Sequence, residues 1–177
     1  MDSKILSGGD LIGTGSYGCV FHPALKCEKQ SIVRDDMVSK VFFSDDSKKE
    51  AEEEIKIDKM IKDINGYEQW AHIWTTNCLP KKYNTLVKDE SGIDDCLNEI
   101  GLTVCEFDKN RRMLQGTYAG KTLSEVFSHH FKSGTYTNKN LFVKNFLDMM
   151  KLMKPLFIGL IEMNKKKISH NDIKSDN

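Results

Sequence analysis

Gly9-Asp-Leu-Ile-Gly-Thr-Gly-Ser-Tyr-Gly-Cys-Val-Phe21 sets Gly13, Gly15 and Gly18 at the spacing G-x-G-x-x-G. The residues after the glycines decide between two phosphate-binding architectures. A dinucleotide fold runs from them into a helix, whose N-terminus meets a pyrophosphate, and places an acidic residue about twenty positions on. Here the glycines lead into Cys19-Val-Phe-His-Pro23, and Pro23 closes the segment. Strand, glycine turn, strand is the better reading. Such a hairpin can bring backbone amides close to phosphates because glycine carries no Cβ. Taken alone, the same glycines would also suit a plain glycine-rich hairpin.

Beyond the hairpin, a polar connection over 25–36 leads to Met37-Val-Ser-Lys-Val-Phe-Phe43, a strand with Lys40 in its middle. A lysine inside a half-buried strand needs a partner for its charge; the alternative is an edge lysine turned to water. From Ser47 to Ile64 the apolar residues Ala51, Ile55, Ile57, Met60, Ile61 and Ile64, with acids and lysines between them, read as an amphipathic helix. Glu50, Glu53 and Glu54 lie on its early turns, where one could face Lys40 while the others form a solvated face. The segment 65–98 reads as a long irregular connection with one short helix. Gly101–Phe107 and Arg112–Tyr118 read as two strands joined by a tight polar turn. A helix is expected over Leu123–His130 and another over Leu141–Lys165, with Phe142, Phe146, Met149, Met153, Leu156, Leu160 and Met163 on its buried face. Pro155 should kink that helix or split it.

Acidic and basic residues balance at 26 each, so no global field recruits nucleic acid or an anionic membrane. The five cysteines are odd in number and show no C-x-x-C pair, which argues against a disulfide framework and a zinc site and for a reducing compartment. No signal peptide or membrane-spanning run is visible. The expectation is a soluble, intracellular protein.

Ile168-Ser-His-Asn-Asp-Ile-Lys-Ser-Asp-Asn177 comes after the long helix and sets His170, Asp172, Lys174 and Asn177 at H-x-D-x-K-x-x-N. This is the chemistry of a phosphoryl-transfer loop. An Asp accepts the proton of an attacking hydroxyl, a Lys neutralises the phosphoryl group in flight, and an Asn oxygen holds magnesium.

Taken in order, the glycine hairpin, the strand lysine, the acidic helix, the later strands, the long helix and the H-x-D-x-K-x-x-N loop resemble the eukaryotic-type protein kinase family. The texture is most similar to divergent serine/threonine kinases of large DNA viruses. That resemblance implies an α+β fold: an antiparallel five-stranded small lobe with one helix over residues 1–118, then a hinge and the first helices of an α-helical large lobe over 119–177. It implies ATP and Mg2+ as cofactors and a protein serine or threonine as substrate, with no nucleic acid or membrane partner. If viral, the protein would act in the host cytoplasm or reside in the virion.

By the resemblance, Gly13-Thr14-Gly15-Ser16-Tyr17-Gly18 would cover the ATP phosphates, with Tyr17 at the tip and Val20 on the adenine. Lys40 would contact the α and β phosphates, paired with Glu54, with Glu50 as runner-up. The hinge would lie near Gly116 to Ala119. Asp172 would be the catalytic base, Lys174 the phosphate-stabilising lysine, Asn177 a magnesium ligand, and His170 a support for the loop backbone. Lys174 favours the serine/threonine branch. Asn171 stands where many kinases have the Arg that pairs with an activation-loop phosphate. Neither Asp-Phe-Gly nor Ala-Pro-Glu occurs in the sequence, so a domain truncated after the catalytic loop is expected. Such a chain would transfer no phosphate above background by itself and would bind ATP weakly or not at all. The alternative is a non-catalytic kinase remnant or regulatory pseudokinase that binds nucleotide or a partner. A dinucleotide-binding oxidoreductase would rest on the glycines alone.

Overall fold

The structure is a computed structural model that describes residues 9–15, 18–89, 91–131 and 138–169. The chain divides into two compact units, Met1–Lys59 with His72–Tyr118, and Met60–Ala71 with Ala119–Asn177.

The first unit is α+β and is built on the expected five-stranded antiparallel sheet, but among the described residues it carries four helices and not the one expected. Its strands are β1 (Asp10–Gly15), β2 (Gly18–His22), β3 (Met37–Phe42), β4 (Trp74–Cys78) and β5 (Arg112–Thr117), in the order β1-β2-β3-β5-β4. One strand is not where the sequence placed it. The run Gly101–Phe107 is not a strand, because Thr103 starts a helix there. The Thr103 hydroxyl accepts from the Glu106 amide at 3.3 Å, and the Glu106 carboxylate accepts from the Thr103 amide at 3.0 Å. This capping box opens a helix over Val104–Asn110. The missing strand is β4, inside the segment read as irregular. That segment also holds a 3-10 turn at Tyr67–Gln69 and two helices, α2 (Tyr83–Lys88) and α3 (Ile93–Ile100); Thr103 therefore caps α4. Gly101, at φ 67°, ends α3 in the left-handed conformation that glycine tolerates.

Cross-strand partners share a face of a sheet. Cys19, Val41 and Met113 stand abreast across β2, β3 and β5, as do Phe21, Ser39 and Gln115. Their face is covered by α2, α3 and α4, which contribute Leu86, Ile93, Cys96, Leu97 and Phe107 to one buried cluster. The polar members of that face are satisfied: the Gln115 amide donates to the Leu25 carbonyl at 2.7 Å, and Ser39 Oγ accepts from the Leu25 amide at 3.0 Å. The opposite face carries Val20, Lys40, Phe42 and Leu114. Helix α1 (Ser47–Lys62) lies over it, packing Ala51 and Ile55 against Phe42, Leu114 and Trp74.

Two disulfides, Cys19–Cys96 and Cys27–Cys78, tie strands of this sheet to its surroundings. The expectation of no disulfide framework is therefore corrected. The partners lie 77 and 51 residues apart in sequence, and only the sheet and its helical cover bring them together. Spacing along the chain carries no trace of that. The odd thiol, Cys105, is free and exposed. Cysteine count thus offers no ground for assigning a reducing compartment.

The second unit contains α5 (Leu123–His130) and α6 (Lys139–Lys165). Thr122 and Glu125 form a capping box for α5, and the Asn138 side chain caps α6 by accepting from the Leu141 amide at 3.1 Å. Helix α6 continues through Pro155 as one element of 27 residues and is not split, since a single missing donor removes only one of its many bonds. Met149, Gly159 and Met163 are its buried positions. Gly159 is required because a Cβ there would overlap the Trp70 ring. Phe146 and Leu156, expected on the buried face, are exposed. Among the described residues no helix is long and apolar enough to cross a membrane.

Candidate functional site

The β1–β2 hairpin pairs Gly15 with Gly18, Thr14 with Cys19 and Gly13 with Val20, and a bulge at Ile12 shifts the register before Leu11 meets Phe21. Ser16 and Tyr17, which follow Gly15 in sequence, lie outside the described residues. Val20 in turn pairs with Lys40, and Lys40 with Leu114. Gly13, Val20 and Lys40 therefore stand side by side across three strands.

The three motif glycines are not equivalent. A Cβ on Gly18 would collide with the Val41 carbonyl of the neighbouring strand, so this glycine is demanded by sheet packing. A Cβ on Gly13 would meet nothing within 4 Å, and one on Gly15 only the Gly18 carbonyl at 3.9 Å. Nothing among the described residues requires glycine at those two positions. Among the described residues nothing covers the backbone there on the Lys40 face.

Lys40 is a central-strand lysine with its side chain 25% exposed. Its ammonium pairs with the Glu54 carboxylate of α1 and lies 5.0 Å from the centroid of the Phe42 ring. Glu54, 29% exposed in its side chain, uses its second oxygen to accept from the Trp74 indole Nε1–H at 2.8 Å. One turn further along α1, Asp58 accepts from the Trp74 backbone amide at 2.8 Å. Positions i and i+4 share a helix face, so Glu54 and Asp58 reach the start of β4 together. Glu50, the other candidate for Lys40, is engaged elsewhere and accepts from Ser44 Oγ at 3.0 Å.

His72 borders this network, its ring edge-on to Trp74 at 4.6 Å between centroids. The ring fills the place of the side chain that Gly116 lacks; a Cβ there would lie 2.7 Å from His72 Cε1. Burial pulls the imidazole below its ordinary pKa, outweighing the opposing pull of the Thr117 backbone and of Glu54. His72 Nε2 has no hydrogen-bond partner among the described residues.

Sequence reasoning missed Trp74, Asp58 and His72. The i,i+4 spacing of Glu54 and Asp58 was a visible sign that α1 presents two carboxylates to one neighbour. Nothing local identified Trp74 as that neighbour. His170, Asp172, Lys174 and Asn177 fall outside the described residues.

In chemical terms, a cation fixed by a carboxylate beside a bare glycine backbone can receive the oxygens of an anion such as a phosphate. Set against protein-family models, curated proteins and solved structures, the chain matches none.

Proposed function

We propose that the protein is an ATP-dependent serine/threonine protein kinase, its first unit serving as the nucleotide-binding small lobe. The observation that carries this reading is the Lys40–Glu54 pair standing abreast of Gly13. ATP, when bound, supplies the phosphoryl group, and magnesium neutralises charge between its phosphates. The residues present fit such a ligand. Among the described residues, the backbone at Gly13 and Gly15 is open to phosphate oxygens, since no Cβ fills the space. Lys40 supplies the positive charge, and Glu54 fixes its position. Val20 offers an apolar surface for the adenine. In the terminal loop, Asp172 would take the proton from a substrate hydroxyl, Lys174 would balance the charge of the group being transferred, and Asn177 would hold magnesium.

The test separates binding from transfer. ATP affinity is measured by titration calorimetry, and transfer by radiolabelled phosphate incorporation into a mixed protein substrate. Lys40→Met should weaken ATP binding by about tenfold to a hundredfold, the scale of a hydrogen bond to a charged group. The chain alone should show no transfer above background; fused to a downstream kinase segment it should transfer phosphate, and Asp172→Asn in that fusion should leave ATP binding intact and abolish transfer. Lys40-dependent binding with no transfer even in the fusion would favour the non-catalytic reading. ATP affinity indifferent to Lys40→Met would rule out the kinase reading and the nucleotide-binding form of the alternative.

A further inference from the structure

We propose that Trp74 is a positioning residue of this site: its indole and backbone N–H groups hold Glu54 and Asp58, and so keep Glu54 directed at Lys40. The role matters for function through the reading of Lys40 as a phosphate-binding lysine, on which it rests.

Glu54 does not hold its position unaided. A glutamate has three rotatable side-chain bonds, and keeping it in one rotamer costs conformational entropy. A pair formed with one flexible, partly exposed lysine contributes little by itself. Here each carboxylate oxygen has its own partner, Lys40 on one side and the Trp74 indole at 2.8 Å on the other. The indole is the rigid member of the three. It packs with Phe42, Ala51 and Leu114, meets the edge of His72, and stands at the start of β4 in register with Gly116.

A second tether acts on the helix and not on the side chain. The Trp74 amide donates to Asp58 at 2.8 Å, and Asp58 is only 8% exposed. One residue of β4 thus grips α1 at two points a turn apart, which fixes the helix in both rotation and height. Lys40, Glu54, Asp58 and Trp74 all belong to one compact unit. The Lys40–Glu54 pair is therefore set by that unit's own strands and helix.

Trp74→Phe tests this, because it keeps an aromatic ring and the backbone amide and removes only the indole donor. The readout is the rate at which a limiting amine-reactive ester labels Lys40, mapped by mass spectrometry with Lys48 as internal reference. Loss of one bond to a charged group should raise Lys40 labelling about tenfold, leave Lys48 unchanged, and weaken ATP binding by a similar factor. Unchanged Lys40 labelling in a Trp74→Phe protein that melts like the wild type overturns the proposal. If that variant does not fold, hydrogen exchange of the Trp74 indole decides. Slow exchange in the wild type and fast exchange in Glu54→Ala upholds the clamp; equal rates overturn it. A wild type that does not bind ATP, but whose Lys40 labelling still responds to Trp74→Phe, would remove the nucleotide reading and leave the clamp standing.

Discussion

His72 couples the stability of the fold to pH through its burial. Its neutral ring occupies the space over Gly116, and burial disfavours its charged form. The folded state therefore binds a proton at this site less readily than the unfolded chain, whose value is the ordinary 6.5. Above that pH both states are neutral and the site contributes no pH dependence. As pH falls below it, the unfolded chain takes up the proton first and stability declines, until the lowered folded value is reached. Glu54 and the Thr117 backbone, which favour the charged form, limit the size of the decline. Urea denaturation between pH 7.5 and pH 5 should show this loss in the wild type. His72→Gln, which carries no titrating ring, should flatten it across the same interval.

Among the secondary-structure elements, the glycine hairpin combines two uses of the same residue type. Gly18→Ala forces a methyl against the Val41 carbonyl and should destabilise the protein by about 1–3 kcal/mol, the usual cost of overpacking. Gly13→Ala and Gly15→Ala meet no such obstacle among the described residues. They should leave thermal stability within about 0.5 kcal/mol of wild type and weaken ATP binding. Melting curves and ATP titrations of the three variants check this together. The hairpin itself was legible because its signal is local: two short apolar runs, three glycines and Pro23. The helices α1 and α6 were legible for the same reason, through apolar periodicity. The strand β4 was not, since Trp74-Thr-Thr-Asn-Cys78 is an edge strand whose only ladder partner, β5, lies beyond three helices. Helix α4 was misread because Val104 and Phe107 suggested a strand, while the capping pair Thr103 and Glu106 decided otherwise. The pairing of Lys40 with Glu54 was expected through the resemblance to protein kinases. Trp74 and Asp58 were not, because their meeting depends on where β4 runs beside α1.

For the chain in its entirety, the two disulfides are the features least inferable from sequence and the simplest to test. Closing loops of this length restricts the unfolded chain, which chain-entropy arguments put at about 4 kcal/mol for each bridge. Thiol reductant should therefore lower the melting temperature, and Cys96→Ser should remove about half of that response. Peptide mapping under non-reducing conditions should recover the Cys19–Cys96 and Cys27–Cys78 linkages. The order β1-β2-β3-β5-β4 also bears on how the protein is made. As the chain leaves the ribosome, β1, β2 and β3 can pair at once, but the other edge of β3 waits for β5, which is synthesised only after α1, β4 and three more helices. During that interval Val41 and Phe42, buried in the finished sheet, sit on an unpaired strand open to other nascent chains. Contacts so distant in sequence also slow folding, so the yield of native protein depends on keeping β3 unoccupied until its partner arrives.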